Sequence, residues 1–176
     1  MTTARFVLAV GLAALAGVLA ACAPAGAGAP SGVPSPTATA THGEWPPGGD
    51  VAQPPPFEVR YDREALLLHP FTFCHEGGCV DGVDEDPPSV GPATVLFVHV
   101  PVPELDELTV TEAPESPEAS GVPGVEATTE HLGHGWWRVD LTGPDGEHRL
   151  SLFAGSDAGA GDMVAEVRWT GGPWVR

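Results

Sequence analysis

The segment Met163–Thr170 reads MVAEVRWT and alternates strictly between apolar and other side chains over its second half. Successive side chains of a β-strand point to opposite faces of a sheet, so this period of two predicts a strand with one buried face. The residues predicted to face inward are Met163, Ala165, Val167 and Trp169.

Eight further segments are short apolar or β-branched runs bounded by Gly and Pro, which is typical of strands. They are Phe57–Tyr61, Ala65–Leu68, Phe71–Cys74, Thr94–Val100, Glu107–Thr111, Val125–Glu130, Trp136–Leu141 and Glu147–Ala154. Residues 112–124 are rich in Pro, Glu and Gly and are predicted to form a loop. No helical window interrupts this series, so residues 57–176 are predicted to form one all-β domain, an antiparallel sandwich of about 7–9 strands.

Composition supports this fold class and excludes some partners. Gly and Pro contribute 23 and 20 of the 176 residues, a load that a helical bundle does not tolerate. The 24 acidic residues face only 7 basic ones, all of them Arg, and the net charge is -17. Clustered cations are needed to bind a phosphate backbone, so nucleic acid is excluded as a partner.

The strongest hairpin signal is the stretch Thr142–Gly146, which reads TGPDG between two predicted strands. Asp-Gly permits the positive φ angles that tight turns require, so a hairpin is predicted here.

Gly143–Gly146 and the alternating run Arg149–Phe153 together resemble the late strands of bacterial immunoglobulin-like domains, which often read Pro-x-Gly-x-Tyr before such a run. The resemblance implies an immunoglobulin-like sandwich and nothing about activity. The chain departs from the pattern at His148, which stands where a Tyr is expected to bond back to the upstream backbone.

The amino-terminal segment has the features of an export signal. A short region with one Arg is followed by the apolar run Phe6–Leu19, which is too short to span a bilayer core of ~30 Å. The run ends in Leu19-Ala20-Ala21-Cys22, which resembles the lipobox of bacterial lipoproteins. That resemblance implies cleavage after residue 21, acylation of Cys22 (palmitate among the acyl chains), and a protein anchored by lipid on the outer face of the cytoplasmic membrane. An ordinary secretory signal and an uncleaved anchor remain the alternatives.

Residues 22–56 are predicted to be the lipidated Cys22 and a disordered tether. Ala, Gly, Pro and Thr dominate this range, which has no hydrophobic period and too little apolar bulk to offset the entropy of ordering. As an extended chain it would reach on the order of 100 Å, and as a coil roughly 30–35 Å.

Two cysteines remain, Cys74 and Cys79, with the spacing Cys-His-Glu-Gly-Gly-Cys. An even pair in an exported domain predicts a disulfide, and Gly77-Gly78 would let the chain turn back. A metal site or a redox dithiol that includes His75 is the alternative.

Other candidate sites are weak, and no resident metal or cofactor is predicted. His131 and His134 have a zinc-like spacing, and Asp81, Asp84 and Asp86 belong to an acidic run that offers oxygen ligands for Ca²⁺. The alternatives are that the two histidines have this spacing by chance and that the acidic run is a solvated loop.

Trp136 and Trp137 are adjacent, so in a strand one of them enters the core and the other faces outward. An outward Trp is either a binding platform or a side chain covered by a loop.

No nucleophile elbow, phosphate loop, dinucleotide fingerprint or metalloprotease motif occurs in the sequence. We therefore expect a non-enzymatic module of the cell envelope that binds an envelope protein or glycan, or has a structural role. The alternative is a lipoprotein that binds Ca²⁺, copper or zinc.

Overall fold

The computed structural model describes residues 28–44, 51–115 and 123–172. The signal segment and Cys22 lie outside the described residues. Within them the chain forms twelve strands and no helix. The strands are β1 (Ala38–His42), β2 (Phe57–Tyr61), β3 (Glu64–Leu68), β4 (Thr72–His75), β5 (Gly78–Val80), β6 (Val95–His99), β7 (Glu107–Pro114), β8 (Val125–Glu126), β9 (Thr128–Gly133), β10 (Trp136–Asp140), β11 (Gly146–Gly155) and β12 (Asp162–Gly171).

The strands form two six-stranded sheets. The first sheet has the order β1-β3-β2-β6-β10-β9, and the second has the order β5-β4-β12-β11-β7-β8. The predicted all-β sandwich is confirmed. The strand count is higher than the predicted seven to nine, because β1 and β5 carry little apolar signal and because one predicted segment is divided into β8 and β9.

The core lies between the facing sides of the two sheets. Phe57, Val59 and Leu96 enter it from the first sheet, and each has 0% of its surface exposed. The second sheet contributes alternate residues of β12, as the alternation in residues 163–170 predicts. These are Met163, Ala165, Val167 and Trp169. The indole of Trp169 also donates a buried hydrogen bond to the backbone oxygen of Ala93, which satisfies its one polar atom.

The predicted hairpin at Thr142–Gly146 is wrong. β10 pairs with β6 and β9 in the first sheet, whereas β11 pairs with β12 and β7 in the second, so the intervening residues carry the chain from one sheet to the other. Local turn chemistry does not distinguish a hairpin from such a crossing, because the choice depends on which face each strand buries.

His148 stabilises the segment that links the two sheets. Its Nε2 atom donates to the backbone oxygen of Pro144 at 2.8 Å, four residues upstream, and its ring lies 5.1 Å from that of Trp169. The imidazole therefore makes the backward bond to the main chain that a tyrosine makes in an immunoglobulin-like corner.

The predicted disorder of residues 22–56 is wrong for β1. Ala38–His42 add a parallel strand to the edge of the first sheet, paired with β3 from Glu64 to Leu68. The side chains of Ala38–Thr41 are exposed, so the main chain makes the pairing. The Nε2 atom of His42 lies 3.1 Å from a carboxylate oxygen of Asp84, which adds one side-chain contact. A strand without a buried face shows no hydrophobic alternation in its sequence, so β1 was not predicted.

Candidate functional site

A cleft of about 470 Å³ opens at one end of the sandwich. It lies where β6 leads into the connection to β7 and where β9 turns into β10. Its apolar wall comes from that connection, and its polar side comes from three histidines beside one tryptophan. The principal lining residues are Val102, Pro103, Leu105, His99, His131, His134 and Trp137. We refer to this site as the histidine–tryptophan cleft.

The turn between β9 and β10 sets the shape of the cleft. Its two central residues, His134 and Gly135, have φ angles of 53° and 74°, which is the pattern of a type I′ hairpin turn. The backbone N–H of Val100 donates to the oxygen of Gly135 at 2.8 Å. A Cβ on Gly135 would lie 2.5 Å from the oxygen of Val100, so only glycine lets the turn pack this closely.

The same turn explains the spacing of His131 and His134. The two residues do not share one face of a helix, because His134 occupies the turn itself and His131 lies opposite Trp137 in the register of β9 and β10. The ring centroids of His131 and Trp137 are 4.6 Å apart. The structure thus brings both predicted histidines to the cleft, together with His99 from a distant part of the chain.

His99 lines the cleft from the end of β6, and its environment shifts its pKa. Its ring is stacked on Trp136 with centroids 4.9 Å apart. Desolvation lowers the pKa of His99, and the nearby Arg60 lowers it further, while Glu58 and a hydrogen bond to the backbone of His134 oppose the shift. This imidazole therefore stays uncharged to a lower pH than an exposed histidine does.

The two adjacent tryptophans do face opposite ways. Trp137 packs against the core and borders the cleft. Trp136 lies on the outer face, yet only 2% of its surface is exposed. The guanidinium carbon of Arg60 lies 4.5 Å from the centroid of its ring, and Arg60 also donates to the backbone oxygen of Pro34. Trp136 is therefore covered by Arg60 and His99 and offers no open platform, whereas Trp137 is available from the cleft.

The three imidazoles line one cleft but do not meet at one point. Within the described residues, no group of three or more His, Cys, Asp or Glu side chains is placed to hold a metal ion. The chemistry that the cleft offers is hydrogen bonding from imidazoles and Asp106 beside an apolar wall and an indole.

The acidic residues suggested for Ca²⁺ are engaged with separate partners. Thr72 donates to Asp81 at 3.1 Å, and Asp84 contacts His42. Arg168 donates to Asp86 at 2.7 Å. Their carboxylates therefore hold neighbouring segments together and do not converge.

The predicted disulfide is present. Cys74 and Cys79 are directly opposite each other in β4 and β5, with Cα atoms 4.1 Å apart. The turn between them is made by Glu76 and Gly77, whose φ angles are 46° and 82°. Gly78 is the first residue of β5, so the turn lies one residue earlier than the pair Gly77-Gly78 suggested.

Sequence reasoning missed a second group of polar residues, at the other end of β10. Glu112 was predicted to lie in a loop, but β7 continues to Pro114 and Glu112 is only 3% exposed. The series Leu108, Val110 and Glu112 has a period of two, and this was the signal for an inward-facing carboxylate. His148, also 3% exposed, lies beside the same small cavity.

No helix among residues 28–44, 51–115 and 123–172 is long and apolar enough to cross a membrane. Comparison of the chain with protein-family models, with curated proteins and with solved structures finds no match to any of them.

Proposed function

We propose that this chain is a lipid-anchored module on the outer face of a bacterial cytoplasmic membrane, held there by acylated Cys22. The support is the apolar run that ends in Leu19-Ala20-Ala21-Cys22. The Cys74–Cys79 disulfide is consistent with an oxidising compartment, because disulfides are rare in the cytosol. Replacement of Cys22 by Ser is expected to move the protein from the detergent phase to the aqueous phase in a detergent partition of cell extracts.

The anchor of such a module is shorter than the sequence alone suggests. The chain already contacts the sandwich at Pro34 and Thr37, since Arg60 donates to the backbone oxygen of Pro34 and Thr37 donates to the backbone oxygen of Arg63. Pro34 follows Cys22 by twelve positions in the sequence. At ~3.1 Å per residue the extended segment spans about 37 Å, and as a coil about 20 Å. The sandwich would therefore stay close to the lipid surface.

We propose that the histidine–tryptophan cleft binds a neutral carbohydrate of the envelope. The observation that carries this proposal is the pairing of Trp137 and an apolar wall with imidazoles and Asp106 in one cavity of about 470 Å³. That volume is in the range of small-ligand sites. The apolar face of a sugar ring packs on an indole, and its hydroxyl groups both donate and accept hydrogen bonds, as neutral imidazoles do. The net charge of -17 disfavours an anionic polymer.

A titration with neutral hexose and N-acetylhexosamine oligosaccharides tests this proposal. Saturable binding is expected, and Trp137→Ala is expected to weaken it about tenfold or more, as loss of a central aromatic contact does. His75→Ala is the matched control, because His75 lies in β4 of the other sheet and does not border the cleft. Absence of saturable binding to any of these oligosaccharides, or equal loss in both variants, would contradict the carbohydrate proposal.

The second candidate function is binding of copper or zinc by the same cleft. The presence of His99, His131 and His134 around one cavity favours it. Because the three rings do not converge in this structure, binding would require the β9–β10 turn to move. Calorimetry with Zn²⁺ and Cu²⁺ decides between the two: a stoichiometric site lost in His131→Ala supports the metal function, and no stoichiometric binding removes it.

A further inference from the structure

The strongest chemical anomaly of the sandwich is the carboxylate of Glu112. It is 97% buried on the inward face of β7, and the backbone N–H of Thr142 donates to its Oε1 atom at 3.2 Å. Among the described residues this is its one hydrogen bond, and no Arg or His forms an ion pair with it. A buried carboxylate is costly unless it is paired, so its retention at this position points to a bound cation.

His148 is the second buried polar residue beside this cavity. Its Nε2 atom must carry the hydrogen that bonds to Pro144, because a carbonyl oxygen only accepts. In the neutral ring the Nδ1 atom is then an acceptor, and this atom is buried with no partner in the described part of the chain. His148 is itself 97% buried and borders the same cavity as Glu112.

Gly143 packs directly against both groups, and only glycine leaves room for the carboxylate there. A Cβ at this position would lie 2.6 Å from Oε2 of Glu112 and 3.2 Å from Cε1 of His148. The cavity above it has a volume of about 240 Å³, and the rest of its wall is apolar or hydroxylic: Pro114, Pro123, Val125, Thr142 and Pro144. The site therefore combines a buried carboxylate with a wall suited to methylene groups.

We propose that this cavity binds an alkylammonium group. The ammonium ion would donate to Glu112, and its alkyl chain would lie along the proline-rich wall. The chain contains no Lys, so it supplies no such side chain itself. Its net charge of -17 attracts cations. The cavity is distinct from the histidine–tryptophan cleft, because the two border opposite ends of β10.

Calorimetry with the full-length chain in mild detergent tests the proposal. The probes are Nα-acetyl-lysine methylamide, 1,5-diaminopentane, and the norleucine analogue of the first, which has the alkyl chain without the ammonium group. Saturable binding of either ammonium probe, with no binding of the norleucine analogue, is expected. Binding of the lysine derivative alone indicates a lysine-bearing partner, and binding of the diamine as well indicates free amines.

Variants locate the binding. Glu112→Gln is expected to weaken it at least tenfold, since a charge-assisted hydrogen bond is lost. Glu126→Gln is the matched control, because Glu126 is exposed on the neighbouring β8 and does not border the cavity. Val125→Arg leaves Glu112 and His148 in place and brings a cation to the mouth of the cavity from an exposed position, so it is expected to weaken ammonium binding and tests the site even if Glu112→Gln does not fold. Equal affinity in the Glu112 and Glu126 variants, or absence of saturable ammonium binding, overturns the proposal.

Discussion

Removal of the Cys74–Cys79 bridge is expected to weaken the domain by about 2 kcal/mol without changing its fold. The two cysteines are five residues apart in sequence, so the bond closes a very small loop. In the chain-entropy description a loop of this size contributes about 2 kcal/mol, against about 4.7 kcal/mol for a loop of 100 residues. For a domain of about 120 residues, this corresponds to a fall in melting temperature of roughly 8 °C.

The double variant Cys74→Ser/Cys79→Ser isolates the cross-link. Cys79 is exposed and Cys74 is half-buried, so serine hydroxyls at these positions remain close to water. The β4–β5 hairpin lies at the edge of the second sheet, and its type I′ turn persists without the bond. We therefore expect the remaining strands to unfold as one cooperative unit at a lower denaturant concentration.

Urea unfolding followed by Trp fluorescence measures this loss. The reduced wild-type protein should have the same urea midpoint as the double serine variant, because neither protein has the disulfide and they differ only in thiol against hydroxyl groups. An unchanged midpoint would show that the turn alone closes the hairpin. A loss well above 4 kcal/mol, or a non-cooperative transition, would show that the bridge holds the whole sandwich.

Three further predictions concern other parts of the fold. Burial lowers the pKa of His99, so the unfolded chain binds more protons below pH ~6.5. The unfolding free energy should reach its full value above that pH and decline below it. Urea unfolding at pH 7.5 and 5.5 should show a smaller decline for His99→Asn than for the wild-type protein. An equal decline in both proteins would contradict this role of His99. His148→Phe should cost about 1–3 kcal/mol in unfolding free energy, because the oxygen of Pro144 loses its donor; no change would refute the corner bond. Deletion of residues 23–44 should cause self-association in size-exclusion chromatography through the uncovered edge of β3, and a stable monomer would contradict that.

Periodicity predicted the part of the fold that depends on burial. Alternation in Phe57–Tyr61 and Met163–Thr170 marked the inward residues of β2 and β12, and the structure confirms them. Each of these strands has one face against the core, so every second residue must be apolar and the sequence alternates.

Strands without a buried face escaped prediction. β1 pairs through its main chain and exposes the side chains of Ala38–Thr41, so composition alone marked it as tether. The sheet crossing at residues 141–145 was hidden for a different reason. Its Asp-Gly pair satisfies the local requirements of a turn, while the partners of β10 and β11 are set by contacts far away in sequence.

The candidate site was partly visible in the sequence. His131 and His134 were candidates for their zinc-like spacing and Trp137 as one of two adjacent tryptophans, and all three line one cleft. His99 lies beside them only because β6 pairs with β10, and no local sequence pattern predicts that pairing. The inward position of Glu112 was available from the alternation in β7, but the surrounding Pro and Glu residues resembled a loop.

The proposal of a lipid-anchored envelope module depends most directly on the chemical state of Cys22. Mass spectrometry of the natural protein purified from membranes measures it in one step. A chain that begins at Cys22 and carries a diacylglyceryl group on its sulfur is the expected result. A free thiol at Cys22, or a chain that still begins at Met1, would contradict the account.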